Sequence, residues 1–489
     1  MISYLNQLDQ IEEIVGSQNF TTGKELIEIY QQNVSQFKER ELLGIVTPES
    51  VSDVKRLVTY CAELGIAYYP ISTGLNWGLG SKIPTGNNCL LIDLKKLNSI
   101  RLVNEELRFA IIEPGVTQVQ LADWLNDNNV QLCINSTGSA PKSSYIGNIL
   151  ERGTTFNKPR FNDLRGLEVV LPNGELIRTG FWNESNAKRS TFHYGYGVGP
   201  DVSGLFMQSN LGVVTAAAVS LERKPATTSL VIIHVENEAF SQFMLKVKSA
   251  FTEGIFDRTV HIGNSKRMKI TSGGFETKPI WSLFCAISGN TSLVAKRLDM
   301  AIKHFDEYGV MTYDQDKMHE YDESTQALFK LHLGQPQHIF LQAMHASHNG
   351  DAYVPDSNID SGSIGMLCCL PMIPLEGDSV SEAIKLVEET CNDFGIEAAI
   401  TINPINDLYA EAVINIYFDR KRKDEVAHAH ECNNQLHNKL HEEGFRFYRL
   451  DIIEMTKTVT EENSFWTFIK VIKNAIDPKN LLSPGRYSL

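Results

Sequence analysis

The stretch "YPISTGLNWGLGSKIP", beginning at Tyr69, constrains the fold more than any other part of the chain. It follows a short apolar run, "IAYYPI", that reads as a strand, and it carries Gly74, Gly78 and Gly80 with no charged residue before Lys82. A glycine lacks Cβ, so its backbone can take a positive φ and lie close against another group. Successive N–H groups exposed in such a turn form a concavity suited to anions. Two readings stay open on this stretch alone: an ordinary glycine-rich turn between strands, or a backbone cradle for a phosphate. Short glycine patterns match by chance too often to choose between them.

The chain has 489 residues, more than one hydrophobic core holds, which predicts two or three domains. Hydrophobic residues at 42% and charged residues at 21% fit a globular protein. A formal net charge of −14 argues against nucleic acid as the main partner. The N-terminus "MISYLNQLDQIEEIVG" has no basic region, long apolar core or small-residue cleavage site, so no signal peptide is expected. The most apolar stretch, "IGMLCCLPMIPL", is short and holds two prolines, so no membrane span is expected. The eight cysteines form no CxxC pair, which argues against a zinc ribbon and for a reduced, cytoplasmic setting.

Periodicity divides the chain. "TPESVSDVKRLVTYCAELG" reads as a helix capped by Ser50, with Val54, Leu57, Val58 and Cys61 as its apolar stripe. "CLLIDLKKL", "RFAIIEPGVT" and "GVVTAAAVSLERKP" read as strands, and "TQVQLADWLNDNN" as a helix with Val119, Leu121 and Trp124 apolar. "LRGLEVVLPNGELIRTG" reads as a hairpin turning at Pro172, Asn173 and Gly174. Beyond Pro225 four strand-then-helix units follow in series, which predicts an antiparallel sheet covered by helices on one face.

Six separated segments point one way: "PISTGLNWGLGS", "IIEPGVTQVQLADWL", "GNILERGT", "LEVVLPNGELIRTG", "YGVGPDVSGLFMQSNLGVVT" and the terminal "DPKNLLSPGRY". Their order and spacing resemble the flavoprotein family of vanillyl-alcohol oxidase and p-cresol methylhydroxylase, over residues 43–487 and most thinly between 225 and 403. The resemblance implies an α+β chain: a p-cresol methylhydroxylase-type FAD-binding fold of two α/β subdomains, at residues 1–225, with an inserted antiparallel-sheet cap, at 226–445, and a C-terminal segment, at 446–489, returning to the first domain. It implies an FAD-dependent oxidase or dehydrogenase that takes hydride from a small organic alcohol, amine or activated C–H substrate to flavin N5, with O2 or another acceptor reoxidising the flavin. A homodimer follows by analogy only. A phenol oxidase of the vanillyl-alcohol type, and a flavin-binding scaffold or sensor without turnover, are the alternatives.

The resemblance also assigns residues. Ser72, Thr73, Gly74, Leu75, Asn76, Trp77, Gly78, Leu79, Gly80 and Ser81 would wrap the pyrophosphate of FAD, mostly through backbone donors, so the cradle reading of the glycine stretch overtakes the turn. Pro114 and Gly115 would lie under the adenine side. Gly138, Ser139, Gly147 and Asn148 would line the isoalloxazine, Val213 and Val214 would meet the adenosine end, and Arg486 would contact the cofactor from the C-terminal motif. Tyr448 and Arg449 match a Tyr-Arg pair over the flavin. A fixed guanidinium there would stabilise the negative charge of the reduced pyrimidine.

The departures matter as much. Asn76 stands where many relatives carry a flavin-linking histidine, and Ala412 where vanillyl-alcohol oxidase has its own. FAD is therefore expected to be non-covalent, with Tyr409 the one covalent candidate against a reading as a packed strand-edge aromatic. Leu79 replaces a phenol-binding tyrosine, which weakens the phenol-oxidase alternative. Asp163 in "GTTFNKPRFND" is a candidate flavin-side acid against a reading as a solvated loop acid. His428, His430, His437 and His441 read as a solvated helix face in preference to a metal site. His345 and His348 are candidate pocket residues. "TTGKEL" lacks the Ser or Thr that a P-loop needs after Lys24.

Overall fold

The structure is a computed structural model, and it describes residues 2–184, 189–272, 280–338, 341, 344 and 359–489. The first sheet has four strands in the order Phe20–Thr21, Leu42–Val46, Cys89–Asp93, Ala67–Ile71, with Cys89–Asp93 parallel to both of its neighbours. Two parallel strands need a crossover between them. The helix Val51–Leu64 supplies it. Ser50 caps its start by accepting from the Asp53 N–H, Gly65 closes it at φ 71°, and Val54, Leu57, Val58 and Cys61 are its buried face. Truncating a side chain as enclosed as Leu57 costs about 2–5 kcal/mol.

The second sheet is antiparallel, in the order Ile100–Asn104, Phe109–Ile112, Val213–Ser220, Leu164–Val170, Leu176–Arg178. Its terminal hairpin turns where predicted. Gly174 takes φ 81° and donates its N–H to the Leu171 carbonyl. The helix Gln118–Asp127 buries Leu121, Ala122 and Leu125 and packs Trp124 against the same core, so of the expected stripe Val119 stands off it.

The third sheet spans nine antiparallel strands from Thr227–Glu236 to Arg446–Phe447. The helices Phe240–Thr252, Thr291–His304, Ser379–Asp393 and Lys423–Glu442 send Phe243, Val294, Val387 and Leu436 into one apolar core with Ile262, Leu283, Ile400 and Ile414 of the sheet. One face is thus covered by helices, as the serial units predicted. Because side chains alternate across a strand, the opposite face carries His261, Phe284, Asn403 and Asn415, and it faces the glycine stretch. The chain end returns to the first sheet: the Tyr68 N–H donates to the Leu481 carbonyl and the Ser483 N–H to the Tyr68 carbonyl, 2.8 Å each.

All eight cysteines are free and buried. No helix among the described residues is long and apolar enough to cross a membrane.

Candidate active site

A cavity of about 450 Å3 lies where the three sheets and the C-terminal turn meet. The glycine stretch forms one wall. Gly74, Gly78 and Gly80 adopt φ of 69°, 80° and 133°, so the sequence uses glycine where the backbone requires it. The N–H groups of Leu79 and Ser81 turn back onto the Asn76 carbonyl, while those of Gly74, Leu75 and Asn76 meet no protein acceptor among the described residues. The loop is pinned from outside: Asp360 accepts from Ser81 Oγ at 2.8 Å, Trp77 Nε1 at 3.1 Å and the Val34 N–H at 2.9 Å. A second wall comes from Gly138, Ser139, Gly147 and Asn148. Thr73 Oγ1 accepts from the Ser144 N–H at 3.0 Å and joins the two walls. Gly147 has no room for a side chain, since a Cβ there would lie 2.5 Å from Ser72 Oγ.

Most residues assigned by motif therefore surround one cavity: Ser72, Thr73, Gly74, Leu75, Asn76, Trp77, Leu79, Gly80, Ser81, Pro114, Gly138, Ser139, Gly147, Asn148, Val214, Arg486, Tyr448 and Arg449 all line it. Gly78, Gly115 and Val213 do not. A Cβ on Gly78 would lie 2.2 Å from Cys368 Sγ, and one on Gly115 would lie 2.2 Å from the Lys95 carbonyl, so both glycines serve close protein packing. Val213 points into the core between the first two sheets, the alternate side from Val214. Arg486 donates to Tyr69 OH at 2.9 Å and to Glu151. Burial opposes its charge, but Glu151 and Tyr69 more than offset this.

Asp163 is neither solvated nor at the cavity. It is fully buried as a hub, accepting from Asn135, Tyr145 and Ser220 and paired with Lys158 Nζ at 2.9 Å. The histidine helix is likewise not uniformly solvated: His437 is buried with Nδ1 2.8 Å from the Asn433 carbonyl oxygen, and His430 meets the Ser35 carbonyl. Among the described residues no three His, Cys, Asp or Glu side chains cluster as metal ligands do. His345 and His348 lie outside the described residues.

The strand Tyr409–Asp419 gives Val413, Asn415 and Tyr417 to the cavity and Ala412, Ile414 and Ile416 to the helix-covered core. Ala412 thus faces away from the cavity. Tyr409, at the strand's end, pairs with Pro374, is half-buried, and is not part of the lining.

The C-terminal pair enters from the far side. Arg449 Nη2 donates to Asn76 Oδ1 at 2.6 Å, while its Nε is buried without a partner. Tyr448 lies beside Thr154, whose hydroxyl donates to Glu411. Glu411 is 2% exposed, and burial lifts its carboxyl to about 8 against the pull of Arg449. Cys368 lies between Arg449 and Arg267. Burial raises its thiol to about 11, and the two guanidiniums pull the other way.

Glu411 and the cap residues His261, Arg267, Asn403, Asn415 and Tyr417 were not predicted from sequence. The legible signal was alternation: "AITINP" and "EAVINIYF" place Thr401, Asn403, Glu411, Asn415 and Tyr417 at alternate positions of otherwise apolar strands.

The cavity suits a long, doubly anionic cofactor. The glycine stretch offers the unpartnered backbone N–H groups of Gly74, Leu75 and Asn76, and Arg449, bonded to Asn76, adds a guanidinium with an unsatisfied buried Nε. Comparison with known proteins agrees. Residues 42–180 match the FAD binding domain family. The chain is 27% identical to 1'-carboxy-chondrochloren decarboxylase of Chondromyces crocatus, covering 91% of this chain and 90% of the relative. It is 24% identical to the 4-cresol dehydrogenase [hydroxylating] flavoprotein subunit of Pseudomonas putida, covering 90% and 87%. Its structure superposes on substrate-bound p-cresol methylhydroxylase with a TM-score of 0.89 at 21% identity, covering 100% of this chain and 98% of the other. Residues 42–180 are thus an FAD-binding domain, and the chain as a whole has the fold of p-cresol methylhydroxylase.

Proposed function

We propose that this oxidoreductase takes hydride from a small organic alcohol, amine or activated C–H substrate held between the Tyr448–Arg449 pair and the polar face of the cap sheet. The observation that carries this reading is that Tyr448 and Thr154 line the cavity together and that Thr154 donates to the buried carboxyl of Glu411 behind it. FAD, when bound, supplies the hydride acceptor at N5. The protein's part is to hold the substrate and to move a proton. With Glu411 ionised and the Tyr448 hydroxyl turned toward Thr154 Oγ1, Tyr448 can accept the proton of a substrate hydroxyl or ammonium while passing its own inward through Thr154. The residues fitted to FAD are the glycine stretch 72–81 for the pyrophosphate, Pro114, Gly138, Ser139, Gly147 and Asn148 along the second wall, Val214 at the far end, and Arg449 as a fixed cation. Attachment is non-covalent in this reading, because Asn76 and Ala412 cannot form the link and Tyr409 is outside the cavity lining.

A phenol substrate is disfavoured. Leu79 packs with Cys368 and Leu370 against Tyr448, so an apolar contact replaces a second phenol donor. The relatives include a 4-cresol dehydrogenase and a carboxy-chondrochloren decarboxylase, which supports flavin-dependent chemistry and favours no one substrate. O2 or another acceptor closes the cycle.

The test is an anaerobic panel of alcohols, amines and alkylphenols added to FAD-loaded protein while the visible flavin band is followed. Bleaching by a member of the panel supports the reading. A purified protein that stays colourless and takes up no FAD on reconstitution removes it, and fast bleaching by para-alkylphenols would restore the phenol-oxidase alternative.

A further inference from the structure

The glycine stretch 72–81 carries no charge of its own, yet a lysine stands directly behind it. Ser81 ends the stretch at φ 51°, with its Oγ held by Asp360. Lys82 follows, and its side chain runs back along the loop. A Cβ on Gly74 would lie 2.5 Å from Lys82 Cγ and 3.0 Å from its Cε, so the stem lies against Gly74. Gly74 lines the cavity and Lys82 does not, which puts the ammonium on the outer side of the loop. There Nζ sits 4.4 Å from the centroid of the Tyr30 ring.

Two lysines meet that ring, and the fold uses them differently. Lys95, 5.6 Å from the centroid, is paired with Asp93 at 3.0 Å. Lys82 has no ion-pair or hydrogen-bond partner among the described residues, and its one close contact of this kind is the ring. Burial lowers the pKa of its ammonium, and Asp360 and Asp93 pull the other way. Both acids are engaged elsewhere: Asp93 by Tyr30 OH and the Lys95 N–H as well as Lys95 Nζ, Asp360 by Ser81, Trp77 and Val34. A half-buried cation over a neutral aromatic face gains from any further anion brought near it. The place is one where anions are brought. Asp93 and Ile71 end two parallel strands of the first sheet, and open parallel sheets take ligands beyond those carboxyl ends.

We propose that Lys82 is the counter-cation of the cofactor's pyrophosphate, acting across the loop at Gly74 from outside the cavity and without touching the ligand. This rests on the reading above that residues 72–81 cradle that group. The pyrophosphate is a dianion, and the N–H groups of Gly74, Leu75 and Asn76 answer it with dipoles alone. Lys82 supplies the formal charge that the stretch lacks. Its packing on Gly74 and Tyr30 needs only an unbranched apolar stem, so charge and packing can be separated by substitution.

The experiment titrates the full chain, freed of flavin, with FAD and follows the flavin fluorescence. Lys82→Met keeps the stem and removes the charge, whereas Lys82→Arg keeps the charge and adds bulk. Lys82→Met should weaken FAD binding about tenfold or more, and Lys82→Arg by no more than about threefold. The reduction potential of the bound flavin and the melting temperature of the flavin-free chain should stay at wild-type values in Lys82→Met, because the charge acts on the phosphates. Wild-type affinity in Lys82→Met would overturn the assignment. So would the reverse order, with Lys82→Arg the weaker binder, or a fall in the melting temperature of flavin-free Lys82→Met, since each marks packing in place of charge. The two readings fail separately. A wild type that binds FAD, with Lys82→Met its equal, loses only the counter-cation. A wild-type chain that takes up no FAD loses the cradle, and the counter-cation with it.

Discussion

The cavity has two kinds of wall, and they were written into the chain in different ways. The glycine stretch 72–81 works through backbone, so its requirement is conformational and falls on neighbouring residues. Positive φ at Gly74, Gly78 and Gly80 forces glycine at fixed offsets, and the motif can be seen in one line of sequence. The cap wall works through side chains that reach it from five of the described strands and a short helix. His261, Thr401, Asn403, Asn415 and Tyr417 are spread over more than 150 residues, each flanked by apolar neighbours that belong to the opposite face. A backbone site is thus legible locally, whereas a sheet-face site becomes legible only when strand order and register are known.

The largest expected effect is on the backbone wall. Gly78→Val places a β-branched residue at φ 80° with its Cβ 2.2 Å from Cys368 Sγ. Little FAD-loaded protein should be recovered. The structure also changes the reason: the clash is with the cap's Cys368, so Gly78 joins the two walls. Adding Cys368→Ala to Gly78→Ala should therefore raise FAD content above that of Gly78→Ala alone. Full yellow occupancy in Gly78→Val would show that the loop tolerates rearrangement and that the contrast between the walls is overdrawn.

The next effect lies where the walls meet. Arg449 bridges to Asn76 of the glycine stretch and keeps its Nε for the cavity. Arg449→Ala should slow flavin reduction roughly tenfold to a hundredfold, from an interaction of about 1.5–3 kcal/mol, and lower the reduction potential. FAD content should fall little, and Arg449→Lys should recover only part of the rate. A lower melting temperature with unchanged rate and potential would reduce Arg449 to a tie between domains.

Much of the fold was legible for the same reason as the glycine wall. Ser50, Gly65 and the Val54–Cys61 stripe are contiguous, and they specify one helix. The Pro172–Gly174 turn specifies one hairpin. Asp163 misled because its burial depends on Asn135, Tyr145, Lys158 and Ser220, which are distant in sequence and gather only on folding. Glu411 was missed although the segment holding it was in view. In "DLYAEAVINIYFDR" it stands between Tyr409 and Ala412, the positions considered for a covalent link, and only strand parity puts it on the face of Val413 and Asn415.

Glu411 gives a smaller but sharply signed effect. Its carboxyl is raised from 4.5 to about 8, so between those values the folded protein binds a proton that the unfolded chain releases. Stability should therefore fall as pH rises from about 4.5 to about 8 and level off above. The rate of flavin reduction should rise over the upper part of that range as Glu411 ionises and can accept a proton. Glu411→Gln should flatten both profiles while FAD content is kept. An unchanged rate profile in this variant would remove Glu411 from the proton path, and an unchanged stability profile would place its titration elsewhere.

The smallest effect is expected at Tyr409, and it bears on whether the cap sheet touches FAD covalently. Tyr409 shares the cavity-facing parity of its strand, but it stands at the end, paired with Pro374 and outside the lining. Burial raises its phenol, and Glu411 raises it further, so the phenolate that a covalent link would use is disfavoured. Acid precipitation should release FAD into the supernatant and leave a colourless pellet. Tyr409→Phe should match the wild type in FAD retention and reduction rate, with stability changed by no more than about 0.5 kcal/mol. A fluorescent flavin band on a denaturing gel that disappears in Tyr409→Phe would overturn this and make the cap wall a cofactor-binding one. Ala412→His then separates parity from position. Ala412 is fully buried among helix-facing residues, so an added imidazole overpacks that core and should lower the melting temperature without creating a flavin link. A link formed there would mean that the strand register is shifted by one residue, which would reassign every side chain of the cap wall to the opposite face.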